Sequence, residues 1–451
     1  FTMSKDIRIK KGLDIKLVGI AEKTTTSISL SSVYAVKPED FHGITPKLVA
    51  KEGAEVKAGE VLFYSKSDER ILFPSPVSGK VVEVIRGARR KVLAVKISAD
   101  STQEYKDFGT KDAASMSAEE VKNHLFASGC WPFVKQRPYD VVANPNQAPK
   151  AIFVSAYASA PLAADLDYTL AGKEAELQAA ITAVSKLTEG KVHVSVGAGS
   201  NSPLANLSGV EVHKVSGPHP SGNVSTQIAN IDPINKGEVV WVVTPQDLVI
   251  IGELLLTGKF NATRTVALTG SKFSKPQYVT AIAGATISDV TASNLENDNT
   301  RIISGNVLSG KEVKEDDFLG FYDNQITAIP EGNDYELFGW TAPVFNKIST
   351  SRALTFSWLT PKKKYDLNTN TNGEHRAFVV TGSYEDVFPL DIYPMQLLKA
   401  FMYKDLDEME ALGGYEVAPE DFALTEFICV SKQPHQKIIR EGLDLMREEL
   451  G

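Results

Sequence analysis

Apolar positions along this chain follow two different periods, and the change between them divides it. Up to about residue 100 the apolar runs are short and rich in β-branched residues: Val56 to Tyr64, Ile71 to Phe73, Val81 to Ile85 and Val92 to Ile97. Gly53, Gly59, Pro74, Pro76, Gly79 and Gly87 punctuate them. Short strands with closely spaced turn residues predict a compact β module over 3–100. Residues 101–150 are more polar. Ser117 is placed to cap a helix that begins Ala118-Glu119-Glu120 and carries Val121, Leu125 and Phe126, so 101–150 reads as a helical connector. Pro145, Gln147 and Pro149 read as a linker.

From Ala151 strands and helices alternate. Ala151–Ala156, Lys191–Val196, Val210–Val215 and Val239–Thr244 read as strands. Glu174–Leu187 reads as a helix because Leu177, Ile181, Val184 and Leu187 share one face, and Gln246–Thr257 reads as another. That alternation predicts a Rossmann-like α/β domain with a largely parallel sheet over 151–259. Residues 260–330 return to β character, with Thr265–Thr269, Tyr278–Ala283, Thr286–Val290 and Arg301–Leu308 as expected strands. Residues 331–388 mix strands and loops, with a polar loop near Lys362–Gly373. From Pro389 to 451 the chain reads as helical. Pro394 sits like a first-turn proline, Leu397, Leu398, Phe401 and Met402 form one stripe, and Ile439, Leu443, Met446 and Leu450 form another.

Composition narrows the function. A chain of 451 residues exceeds one core. With 48 basic and 56 acidic residues its net charge is −8, which repels nucleic acid and anionic lipid. The two cysteines, Cys130 and Cys429, cannot supply the roughly four thiolates of an iron–sulfur cluster, and no His-x-x-x-His pair suggests a metal site. So few cysteines suit the cytoplasm. The most apolar stretch, Val239 to Leu256, includes Pro245, Asp247 and Glu253 and does not read as a membrane span. Phe1 and Thr2 ahead of Met3 read as an expression remnant, with no secretory signal.

Several motifs invite chemistry. Gly197-Ala198-Gly199-Ser200-Asn201 follows a strand, and such turns can cradle phosphate with backbone N–H groups, but Ser202 replaces the third glycine of a dinucleotide fingerprint. Gly197 and Gly199 are therefore weak cofactor candidates. Gly217-Pro218-His219-Pro220-Ser221-Gly222-Asn223 reads as a constrained, exposed loop. His219 could meet a quinone carbonyl or donate a proton, or the loop could be a rigid turn packed on a partner. Trp131-Pro132-Phe133-Val134-Lys135-Gln136-Arg137-Pro138-Tyr139 alternates aromatics with cations. Trp131, Phe133, Lys135, Arg137 and Tyr139 are candidates for an aromatic core edge, a protein interface or a quinone slot.

Glu52 to Leu62 followed by Pro74-Ser75-Pro76-Val77-Ser78-Gly79-Lys80-Val81 resembles the biotinyl/lipoyl-carrier β-sandwich, although the tip, Ser65-Lys66-Ser67-Asp68-Glu69-Arg70, lacks the attachment motif around Lys66. Thr265–Gly270, Gly284–Val290 and Ser304–Gly310 resemble a soluble-ligand-binding β-grasp module. In order, Lys10-Lys11-Gly12-Leu13-Asp14, Ser75 to Arg90, Gly217-Pro218-His219-Pro220, Gly373-Glu374-His375-Arg376 and Phe388 to Pro394 resemble the large soluble A subunit of the sodium-translocating NADH:quinone oxidoreductases over nearly the whole chain. That resemblance implies a peripheral subunit on the cytoplasmic face of the bacterial inner membrane, in a six-subunit assembly and docked on a membrane-embedded neighbour. It implies that NADH, flavins, iron–sulfur centres and quinone act on or near other subunits, with quinone contact to this one open and no cofactor or catalytic residue of its own. The competing expectations are a stand-alone nicotinamide- or flavin-dependent oxidoreductase and a carrier protein modified at Lys66.

Overall fold

The computed structural model describes residues 4–296, 298–333, 336–339, 341, 344–350 and 356–451. Its structure is mixed α/β with four sheets among the described residues. The N-terminal sandwich begins at Val33. Strands Val33–Val36, Val92–Ala99, Gly79–Arg86 and Glu55–Val56 form one sheet, and Pro46–Leu48, Val61–Ser65 and Leu72–Pro74 the other. Leu62, Phe63, Phe73, Val81, Val95 and Ile97 lie in their shared core. The expected single run from Val56 to Tyr64 is broken by the turn at Gly59, where φ is +91°. Residues 4–27 lie outside the sandwich. Asp6–Arg8 pairs in parallel with Glu211–Ser216, and Glu22–Ser27 with Gln277–Ile282.

The seven-stranded sheet runs Asp6–Arg8, Glu211–Ser216, Lys191–Gly197, Ala151–Ala156, Val240–Val242, Lys135–Arg137, Val141–Val142. The first five are parallel, and the last two run antiparallel to their neighbours. The stretch expected to be a helical connector thus supplies two strands to this sheet. Its α-helix covers only Ala118–Ser128, capped at Ser117 by a reciprocal bond with Glu120. Helices Glu174–Val184 and Pro245–Thr257 pack on one face of the sheet. They approach closely because Gly252 lacks a Cβ, which would sit 1.9 Å from the Glu176 carbonyl oxygen. Helix Val224–Ile231, which the sequence pattern did not reveal, covers the other face through Ile228 and Ile231 against Phe153 and Val215.

The six-stranded sheet runs Lys311–Val313, Thr300–Ser304, Gln325–Pro330, Thr263–Thr269, Gln277–Ile282, Glu22–Ser27. The strand expected at Thr286–Val290 is instead a short helix, Ile287–Thr291, entered at Thr286. Ile287 and Val290, three apart, are both buried there, so tertiary burial overrides β-branched propensity. Between 331 and 388 the described residues hold a 3₁₀ turn at Ser357–Leu359, the helix Tyr384–Val387 and isolated bridges rather than sheet strands. The C-terminal part is helical, with Pro394–Tyr403, Leu406–Ala411, Ala423–Ile428 and His435–Leu450. Leu397, Leu398, Phe401, Ile439, Leu443 and Met446 are buried together, whereas Met402 and Leu450 point outward. Among the described residues no helix is long and apolar enough to cross a membrane.

Candidate functional site

The run from Trp131 to Tyr139 does not form one slot. Trp131 is fully buried, donating its indole N–H to the Ala143 carbonyl at 2.8 Å and standing edge-on to Trp241. Phe133 is buried between Phe260 and Phe321, both stacked on it. These two are core. Lys135 lies 4.1 Å over the Tyr322 ring. The strand then delivers Arg137 and Tyr139 to the joint with the C-terminal helices. Arg137 is 4% exposed and donates to Ser225 Oγ at 3.2 Å and to Glu420 Oε1 at 3.1 Å, with Asp140 Oδ1 at 3.5 Å. Asp421, buried beside them, accepts from the Ala418 N–H and from Asn223.

One guanidinium thus faces three carboxylates. Burial opposes charge on Asp140, yet Arg137, Lys135 and Arg440 hold its carboxyl far below the usual range. Burial lifts Glu420 and Asp421, and Arg137 only partly offsets it. Tyr139 is half-buried against the C-terminal core. With Gln136 and Pro138 it also lines a cleft of about 490 Å³, closed by Tyr415, Met446 and Arg447 and by Ser67 and Asp68 of the sandwich. Lys66 sits on that tip, whose Arg70 donates to Asn146 Oδ1 at 2.8 Å.

The glycine turn is already filled. Ser200 Oγ donates to Asp167 Oδ1 at 2.6 Å, and the Asn201 N–H to Asp167 Oδ2 at 2.9 Å. A carboxylate of the chain therefore holds the far end of the turn, at Ser200 and Asn201. The expectation of an exposed His219 loop is corrected: His219 is 4% exposed and Ser221 fully buried. The reason is the N-terminal segment. The Leu13 N–H donates to the His219 carbonyl, the His219 N–H donates to Asp14, and Gly12 lies so close that a Cβ would fall 2.1 Å from the His219 oxygen. His219 Nδ1 meets Ser159 Oγ at 3.0 Å, and burial lowers its pKa to about 4.

Sequence reasoning missed Asp167, Glu420 and Asp421, which have partners remote in the chain, and Asp140, which pairs with Arg137 three residues before it. It also missed His193, Glu211 and His213, which adjacent strands bring together. Alternation was the available signal for these, since His193 and His213 fall at positions that point one way in runs of valine.

Fold and site define a class: a multidomain α/β protein in which a β-sandwich, a mainly parallel α/β sheet, a second mixed sheet and a helical end meet at a buried charged joint. Residues 7–100 match the NqrA N-terminal barrel-sandwich hybrid domain, 116–260 the NqrA second alpha/beta domain and 265–315 the NQRA C-terminal domain. The A subunit of the Na(+)-translocating NADH-quinone reductase of Neisseria meningitidis serogroup B is 36% identical over 98% of this chain and 100% of its own length. Its counterpart from Serratia proteamaculans is also 36% identical, with the same coverage. The chain belongs to the NqrA family, the A subunits of the Na(+)-translocating NADH-quinone reductases. Among solved structures, an NAD+-reducing [NiFe]-hydrogenase in the air-oxidized state has a TM-score of 0.32 at 14% identity, over 42% of this chain and 41% of that one, a likeness too slight to carry an argument.

Proposed function

We propose that this chain is a peripheral subunit of a sodium-pumping NADH–quinone reductase and contributes docking surface rather than a redox centre. Its partners are the other subunits of a six-subunit complex, above all a membrane-embedded one, at the cytoplasmic face of the bacterial inner membrane. NADH, flavins and iron–sulfur centres act elsewhere in that complex.

The observation that carries this reading is Asp167 in the glycine turn. A strand order stepping from Ala151–Ala156 through Lys191–Gly197 to Glu211–Ser216, then starting again at Val240–Val242, supports a Rossmann-like domain. Yet at Gly197–Asn201 Asp167 takes the Ser200 hydroxyl and the Asn201 N–H, while the Ala198 and Ser200 N–H groups donate to the Val215 and Gly197 carbonyls. Parallel pairing of Thr263–Thr269 with Gln325–Pro330 at the centre of the six-stranded sheet supports the β-grasp assignment.

Quinone, where it approaches this subunit, enters the cleft beside Tyr139, whose volume is in the small-ligand range. Trp131 and Phe133 take no part, because both are core. Calorimetry of the purified chain with NADH and with FMN tests the absence of a redox site, and tight binding of either defeats it. In the assembled complex Tyr139→Ala raises the quinone KM. An unchanged KM removes the quinone assignment and leaves the docking role standing.

A further inference from the structure

Three ligand-type side chains converge on the sheet face under helix Val224–Ile231, away from the joint. His193 and Glu211 are direct partners on adjacent parallel strands, and His213 follows on the same face opposite Ser195. His193 Nδ1 lies 3.0 Å from His213 Nε2 and 3.6 Å from Glu211 Oε2. All three ligand atoms fall within 4.8 Å of one another. Donors bound tetrahedrally at about 2.0–2.1 Å stand about 3.3 Å apart, so the two observed separations bracket what such an ion requires.

Two buried polar atoms here have no hydrogen-bond partner, Glu211 Oε2 and Ser195 Oγ. Protein interiors seldom leave such atoms unpaired, and an ion with a bound water would satisfy both. Burial also keeps both imidazoles in the neutral form that binds metal.

We propose that His193, Glu211 and His213 form a site for one divalent transition ion of the Zn2+ class, with Ser195 Oγ holding a water at the fourth position. Two imidazoles and a carboxylate are a zinc ligand set, while Mg2+ and Ca2+ prefer oxygen donors. Binding has a structural consequence. The Lys5 N–H now donates to His213 Nδ1 at 3.1 Å, which puts the ring proton on Nε2. Ligation through Nε2 moves that proton to Nδ1, where it opposes the Lys5 N–H. An occupied site therefore releases Lys5 and loosens strand Asp6–Arg8 from Glu211–Ser216.

The test uses the full chain, stripped with chelator and dialysed against buffered micromolar Zn2+. One equivalent is retained, Co2+ gives the d–d bands of a four-coordinate nitrogen–oxygen site, and amide exchange over residues 6–8 quickens on loading. Glu211→Gln weakens binding at least about tenfold, and His193→Gln/His213→Gln abolishes the retained equivalent. Failure of the wild-type chain to retain an equivalent overturns the site. So does equal retention by the double variant. Should the double variant not fold, Glu211→Gln decides alone, and unchanged affinity overturns the proposal.

Discussion

Replacing Arg137 by methionine removes the only cation within hydrogen-bond or ion-pair distance of the Glu420 and Asp140 carboxylates among the described residues while keeping the volume of the side chain. Breaking a buried ion pair from one side costs about 3–5 kcal/mol. The lower end applies here. The Glu420 side chain is 38% exposed and can turn to water, so the loss falls mainly on Asp140 and Asp421. A loss of about 3 kcal/mol is expected at pH 7. The chain has several domains, so a local probe separates a loss at the joint from events elsewhere. Amide exchange in helix His435–Leu450 reports the opening of the joint directly, because its Arg440 reaches the Asp140 carbonyl.

The deficit depends on pH. In the wild type the folded pKa of Asp140 lies below its unfolded value. Its stabilisation is therefore present above the unfolded value and lost as pH falls through the folded one. Without Arg137 that depression shrinks to what Lys135 and Arg440 supply, and Asp421, already raised by burial, rises further. Protonation then relieves the variant as pH drops from 7 towards 5, and its gap to the wild type narrows. Arg137→Lys keeps the charge without the fork and falls between the two. A loss below about 1 kcal/mol at pH 7, or an equal loss at pH 5, would refute the reasoning.

Three further outcomes are expected. Arg264 Nη2 donates to Asp247 Oδ1 at 2.6 Å, both side chains being 1% exposed, so Arg264→Met alone loses about 3–5 kcal/mol while Arg264→Met/Asp247→Leu recovers most of it in thermal unfolding. A double variant at least as unstable as either single sinks this idea. Gly442→Ala puts a Cβ 1.6 Å from Phe401 Cδ1 and destabilises by about 1–3 kcal/mol despite better helix propensity, and a higher melting temperature contradicts it. Burial lowers the pKa of both His219 and His435 to about 4. Their folded values lie below the unfolded one, so the unfolded chain binds more protons between about pH 6.5 and 4. Stability is lost as pH falls through that window, by up to about 3 kcal/mol per histidine. His435→Gln flattens the urea-midpoint profile, and an unchanged slope argues against the assignment.

Local signals made much of the fold legible. Ser117 with Glu120, and Pro394, each start a helix where cap chemistry places it. Leu177, Ile181 and Val184 bury the face their spacing defines. Long-range pairing was not legible. Nothing near Asp6 announces that it joins a strand beginning at Glu211, and Lys135–Arg137 is too short to stand out from a polar stretch. The candidate site fared the same way. Alternating aromatics and cations at 131–139 marked a dense region, but whether each residue faces core, joint or cleft depends on partners such as Trp241, Phe321 and Glu420.

The N-terminal segment gives a reason for the domains to move as one piece. Interfaces between domains are commonly loose, and relative motion is the default. Here residues 4–27 add a strand to the edge of each of two sheets, so backbone hydrogen bonds link those sheets through one short segment. Side-chain bulk is excluded along the way: Gly12 lies against the His219 carbonyl and Gly19 against Gly270, where an added Cβ would fall 2.2 Å from the Gly270 carbonyl carbon. The Arg137 cluster then fixes the helical end to the same sheet. The proposed docking role calls for this rigidity, because a surface assembled from several domains then binds without the cost of aligning them. On that logic the chain's polar chemistry serves orientation. Asp167 holds a turn, Arg137 a joint and Asp14 a loop, and each of these could in a related fold have met a ligand instead.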